Sequence, residues 1–319
     1  MAFGKYVLPY LLVVAEVSWG IVVWRASLIA ATWFLSVANL LHRGTARVDN
    51  VRGGNCLRHA VLPVIAIFFA IVANANCENG IATIHPIEPP GQGFYSKGTD
   101  YKGIAIKASS EVADEALYAA RGRLTMLLSN QPIVAANLAA AGAELHIIGR
   151  EQVTSDLPEH RHLKGKKLEE YHGLTVDERT RGLGGLLTSC GEENLLKLEK
   201  DRYKGRDICV HEFAHNIRKH GIPKDIRKRF DEQYRKSLDK GLWQKSYAGS
   251  NPDEFFAELT MWYFGAHGDL HMTGTKPENG AEGLKKYDPE AFELLDEFYS
   301  GRMQIPKMEP KRSELQIEN

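Results

Sequence analysis

A chain of 319 residues is long enough for one large domain or two small ones, each with a buried core. Its 40 Lys and Arg balance 40 Asp and Glu, so no net field recommends nucleic acid as a partner. The apolar residues are unevenly spread: 6–41 and 60–75 are strongly hydrophobic, while the chain after residue 76 has an ordinary soluble composition.

Residues 57–75 have the layout of a secretory signal. Arg58 and His59 give a basic start, an apolar run follows, and Ala73-Asn74-Ala75 fits a small-x-small cleavage site. The run is shorter than the roughly 20 residues a membrane span needs. Residues 1–56 precede it, and two readings of them stand. In one they are an over-extended start, with translation beginning at the codon for Leu57. In the other, residues 6–41 form one or two transmembrane helices despite Glu16 and Arg25, and the rest of the chain is membrane-anchored. Arg43, Arg47, Arg52 and Arg58 would then mark a cytoplasmic loop. Both readings put the chain after residue 76 outside the cytoplasm, secreted or in the cell envelope. Of the four cysteines, Cys56 and Cys77 flank the signal-like segment. Export permits a Cys190–Cys209 disulfide, with two buried free thiols as the alternative.

Residues 76–93, with three prolines and three glycines, read as an extended linker. "GIAIKAS" (103–109) reads as a strand, and Ser109 or Ser110 as the N-cap of a helix reaching about residue 129. Leu117, Ala120, Leu124, Leu127 and Leu128 fall on one face of that helix. A short Ala-rich helix (132–141) ends at Gly142, and "ELHIIGR" (144–150) reads as a second strand. Residues 151–180 are polar and irregular. Their His160, His162 and His172 are too loosely spaced among lysines for a metal site, so a solvated loop is expected.

"RGLGGLLTS" (181–189) suits a strand or turn closely approached by another backbone, at the edge of a cleft. It lacks the lysine and hydroxyl of a phosphate loop. "ENLLKL" is expected to continue the sheet. Helices follow at about 207–219, 224–239, 252–264 and 289–299, and Gly221 with Pro223 stops the first of them. Residues 94–300 thus form one domain, and 301–319 a flexible tail. Few strands followed by packed helices predicts α+β, with a small sheet packed on a helical domain.

The chemistry concentrates in "HEFAH". On a helix His211 and His215 share a face, so both imidazoles can reach one ion. Glu212 lies about 100° round the helix, near a metal-activated water without being a ligand. A third ligand is still required. It is offered by "SYAGSNPDEFFAELTMWYFG" (246–265), where Asn251 and Pro252 make a helix start and Glu254 and Glu258 stand at i and i+4 on an otherwise aromatic helix. Spacing alone leaves Glu254 and Glu258 equal candidates.

"HEFAH" followed by a tyrosine and then "EFFAE" resembles the catalytic domain of anthrax toxin lethal factor and related zinc metallopeptidases. "SDLPEH", "RGLGG", "GEENLL" and "SYAGSNPDEFFAE" resemble a group of exported bacterial proteins of the same type. The resemblance to that group covers residues 94–300; lethal factor itself matches only at the active-site helices. It implies a zincin-type fold and a gluzincin site with one catalytic Zn2+ held by His211, His215 and Glu254. Glu212 would be the general base, Tyr247 a transition-state donor, and Glu258 a group that holds a ligand in place. A peptide or protein substrate follows. The alternative is a catalytically silent, zinc-stabilised surface or binding module. Structural zinc sites usually have four protein ligands, and only three are visible here.

Overall fold

A computed structural model describes residues 83–268 and 272–309. The signal-like segment, the apolar run 6–41, Cys56 and Cys77 all lie outside the described residues. Among those described, no helix is long and apolar enough to cross a membrane.

The architecture is mixed α and β, one six-stranded sheet with helices, and is compatible with the expected α+β class. Strands β1 (His85–Gly91), β2 (Tyr95–Tyr101) and β3 (Ile104–Ala108) open it, followed by α1 (Asp114–Leu128) and α2 (Pro132–Ala140). Next come β4 (Glu144–Ile148), β5 (Gly182–Leu183) and β6 (Leu187–Gly191). The helical half consists of α3 (Ile208–Asn216), α4 (Lys224–Asp239), α5 (Pro252–Tyr263), α6 (Ala281–Tyr287) and α7 (Pro289–Tyr299). The strands form one mixed sheet in the order β1-β2-β3-β4-β6-β5. The β3-β4 and β4-β6 pairs are parallel, and the outer pairs antiparallel.

The expected linker is overturned over 85–91, which pair with β2. Prolines are tolerated there because β1 is an edge strand, where a missing N–H breaks no inner ladder. The register shifts between Pro86 and Gly91, the stretch that carries Pro89 and Pro90. β2, "YSKGTDY", shows no apolar alternation, and its pairing with β3 makes it a strand. A Cβ on Gly98 would stand 2.8 Å from the Ile106 carbonyl oxygen, so the close β2–β3 approach requires glycine.

α1 buries Leu117, Ala120, Leu124, Leu127 and Leu128, the face expected from its periodicity. Its start is not Ser109 or Ser110. The N-cap is Ala113, whose N–H donates to Glu192 Oε1 at 3.0 Å. No side chain caps the first turn of α1; a buried carboxylate distant in sequence instead accepts the N–H of the residue that precedes it. That carboxylate also accepts from Arg150, and Glu193 pairs with Arg181 at 2.7 Å. These commitments set residues 192–195 as a helical turn, not the continued strand expected of "ENLLKL". The chain beyond residue 300 is not wholly a free tail either. Met303 is buried, and Met308 N–H donates to Asn137 Oδ1 at 2.8 Å.

The core runs from the sheet (Ile104, Ile106, Leu145, Ile147) through α1 into the helical half. There Phe230, Phe256 and Phe298 meet edge to face, with Phe230 and Phe256 centroids 4.8 Å apart. Full burial of one such side chain contributes about 1.5–3 kcal/mol. The packing fixes α5 against α3, the pair that forms the site. A disulfide joins Cys190 at the end of β6 to Cys209 in the first turn of α3, with Cα atoms 5.1 Å apart.

Candidate metal centre

α3 begins where Asp207 accepts the Val210 N–H at 3.1 Å, and Arg123 holds that carboxylate at 2.6 Å. Its apolar face (Ile208, Val210, Phe213, Ala214) is buried, which sets His211 and His215 toward α5. The helix ends at Asn216 and passes into a π-turn (Ile217–Gly221), where a regular helix to about 219 was expected. Asn216 donates to the Leu186 carbonyl and to Thr188 Oγ1, tying the end of α3 to the β5–β6 hairpin. α5 starts as its sequence suggests, with Asn251 Oδ1 accepting from the N–H groups of Asp253 and Glu254.

Three atoms converge between these helices. His211 Nε2 and His215 Nε2 are 3.2 Å apart, and Glu254 Oε2 lies 3.2 Å from the first and 3.4 Å from the second. Ligand atoms about 2.0–2.1 Å from a tetrahedral zinc lie about 3.3–3.4 Å from one another. The triangle therefore has the edge lengths of three corners of a zinc tetrahedron. Among the described residues this is the group of His, Cys, Asp and Glu side chains able to hold a metal ion.

The donor chemistry agrees: two imidazoles and a carboxylate suit Zn2+, and three carboxylates crowd around two histidines. Burial works to raise the Glu254 pKa, but His211 and His215 outweigh it and hold that group well below its usual range. His211, itself 5% exposed, turns its other nitrogen, Nδ1, to Glu258 Oε1 at 2.8 Å. The two glutamates left equal by spacing are thereby separated: Glu254 meets both Nε2 atoms, while Glu258 backs one ring.

Glu212 is half-buried on the cleft side, and burial raises its carboxyl above the ordinary range against the opposing pull of the histidines. The Gly184 N–H donates to it. A Cβ on Gly184 would sit 3.1 Å from both Glu212 Oε2 and His215 Cβ, and one on Gly182 would sit 3.3 Å from Glu212 Cγ. The glycine-rich hairpin thus lets backbone lie directly on the helix that carries Glu212. Gly182–Leu183 is the last strand of the sheet and pairs only with β6, as expected of a cleft edge. Tyr247 stands in a short turn before α5. Its ring stacks on His211 with centroids 6.1 Å apart, and its hydroxyl bonds Glu254. Burial first, then the charges of Glu254 and Glu212, raise its pKa and keep it a donor.

Two features escape the sequence reading. Arg218, buried in the π-turn, donates through Nε to Asp253 Oδ1 at 2.5 Å and through Nη2 to Asp231, clamping α4 and α5 to the end of α3. Only the fold brings those carboxylates to it. The polar stretch 151–180 also feels the site's charge: Glu212 helps raise the Tyr171 pKa behind burial and Glu170, and Arg179 opposes the rise at Tyr247. Its His160, His162 and His172 join no metal-binding group among the described residues. The cleft in front of Glu212, His215 and Glu254 is open and has a volume of about 840 Å³.

No protein-family model matches the chain, and no curated protein matches it. Among solved structures, a Pro-Pro endopeptidase from Paenibacillus alvei is similar at a TM-score of 0.45 and 17% identity, covering 62% of this chain and 98% of that one. That likeness is too distant to bear on function.

Proposed function

We propose that the chain is an exported zinc-dependent peptidase. The observation that carries the reading is the triangle of His211 Nε2, His215 Nε2 and Glu254 Oε2, open to a cleft beside the half-buried Glu212. Those three residues would hold the ion. When bound, zinc supplies Lewis acidity that polarises a peptide carbonyl and lowers the pKa of water.

Glu212 takes a proton from water at its carboxylate and passes it to the departing amine. Its burial-raised pKa brings proton affinity closer to neutral pH, where a general base works best. The Gly184 N–H keeps that carboxylate facing the cleft. Tyr247, held protonated by its surroundings, donates its hydroxyl to the carbonyl oxygen as charge builds there. Glu258 orients His211 through Nδ1 and leaves Nε2 free for the metal. An extended peptide lying beside β5, the edge strand of the sheet, would be aligned by main-chain hydrogen bonds. The buried Cys190–Cys209 disulfide supports export, since such bonds persist in oxidising compartments.

The test is hydrolysis of a mixed peptide library by the zinc-loaded chain, beside two variants. Glu212→Gln should keep stoichiometric zinc while turnover falls by about two to four orders of magnitude. Tyr247→Phe should keep zinc and lose about two to three orders. A wild-type protein that holds zinc and cleaves nothing would refute the reading.

A further inference from the structure

One wall of the cleft carries charge that the proposed chemistry does not use. Beyond Glu212, His215 and Glu254 the cleft is lined by Lys219, Lys224, Arg227 and Lys228. Lys219 lies in the π-turn that directly follows α3. Lys224, Arg227 and Lys228 stand at i, i+3 and i+4 in the first turns of α4, so they share one face of that helix.

The carboxylates along the same wall are already committed. Asp231 and Asp253 are both paired with the buried Arg218. Among the described residues Lys219 and Lys224 make no ion pair, and Lys228 has only Glu232 at 3.8 Å while its side chain is 72% exposed. Arg227 donates to the Lys219 carbonyl oxygen at 2.8 Å, which holds its guanidinium beside the lysines.

This arrangement works against the stability of α4. Like charges at i and i+4 repel, and Lys224 sits at the positive end of the helix dipole. The same placement adds the dipole to the cationic potential of the wall and focuses it into a cleft. We propose that the cleft selects peptides bearing Asp or Glu beside the cleaved bond, their carboxylates resting against Lys219, Lys224, Arg227 and Lys228. This rests on the peptidase reading and names the substrate class of the same site.

The test uses binding, so that it does not depend on turnover. Fluorescent peptides of one backbone sequence, capped at both ends, carry Glu, Gln or Lys at alternate positions. A further Gln peptide keeps its free C-terminal carboxylate. Each is titrated against the zinc-loaded full-length Glu212→Gln protein. The Glu peptide should bind about tenfold tighter than the capped Gln peptide, and the Lys peptide weakest. Raising salt from about 50 to about 300 mM should reduce that advantage severalfold.

Lys224→Glu with Lys228→Glu should abolish the preference and leave the Gln peptide unchanged. Lys224→Ala with Lys228→Ala should halve it on a logarithmic scale, and serves if the double reversal fails to fold. The proposal is overturned if Glu and capped Gln peptides bind alike, or if none binds. It is also overturned if the free-carboxylate Gln peptide matches the Glu peptide, or if the preference survives both double variants. Wild-type cleavage separates the two readings. A Glu preference in binding with no cleavage of any peptide would sink the peptidase and leave the acidic-ligand site. Equal binding with efficient cleavage of neutral peptides would do the reverse.

Discussion

Truncating Glu258 removes a contact to His211 whose size follows from its geometry. The side chain is fully buried, and its Oε1 lies 2.8 Å from Nδ1 of His211, itself buried. A hydrogen bond to a charged acceptor contributes about 1.5–3 kcal/mol, and each 1.4 kcal/mol is about a factor of ten in affinity. Glu258→Ala should therefore weaken zinc binding by about 10- to 100-fold, the size expected when the group behind a metal-bound histidine is removed. Glu258→Gln keeps an acceptor oxygen and loses the charge, so it should cost roughly three- to tenfold. The assay is competition for zinc against a chromophoric chelator at neutral pH, with circular dichroism to confirm that both variants fold. Tyr247→Phe provides a comparison: it removes only a neutral hydroxyl bonded to Glu254 and should cost about two- to tenfold. If Glu258→Ala binds zinc as tightly as the wild-type protein, His211 needs no support through Nδ1 and the assignment of Glu258 fails.

Gly184→Ala would bring a Cβ within 3.1 Å of Glu212 Oε2 and of His215 Cβ. Both must yield by a few tenths of an ångström, so kcat should fall by about 10- to 100-fold with zinc retained; an unchanged kcat would show that the hairpin does not position the base. Stability should also depend on pH through a buried cluster away from the metal centre. His146 meets Glu144 at 2.8 Å and Glu159 at 2.5 Å, and the Tyr95 hydroxyl lies 2.9 Å from the same ring. Burial alone would lower the His146 pKa, but the two carboxylates outweigh it and raise it above 6.5; Glu159 is held down at about 2 from 4.5. The His146 contribution is thus complete below pH 6.5 and lost as pH rises through the folded-state value. That of Glu159 is complete above pH 4.5 and lost as pH falls toward 2. Thermal melts from pH 3 to 9 should peak between those limits, and His146→Gln should flatten the alkaline side. A melting temperature that climbs steadily past pH 7 would contradict this.

What the sequence discloses divides along physical lines. Periodicity is local, so the buried face of α1, the Asn251-Pro252 start of α5 and the shared face of His211 and His215 can all be read from spacing. The choice between Glu254 and Glu258 cannot, because it depends on how far along α5 the crossing with α3 falls. The start of α1 at Ala113 is equally hidden, since the carboxylate that accepts the Ala113 N–H, Glu192, belongs to a distant turn. β2 has no alternation to read, because its strand character comes from β3 pairing beside it. Arg218 looks like one more charge in "NIRKHGIPKDIRKRF". Only the three-way junction of the π-turn, α4 and α5 makes it a buried clamp.

Cys190 and Cys209 are both fully buried. Thiol exchange needs an attacking thiolate to reach sulfur, so neither an oxidant nor a reductant reaches this bond while β6 and α3 are docked. The crosslink closes while β6 and α3 are apposed but not yet tightly packed, and their docking then slows its reduction. It is therefore a record of where the chain folded. A molecule that folded among reducing thiols keeps its two sulfurs unjoined after it leaves them, and one that folded in an oxidising space keeps the bond if later carried into the cytosol. Two populations with the same sequence then differ, for as long as β6 and α3 stay docked, in how firmly the helix of His211 is held, according to where they folded.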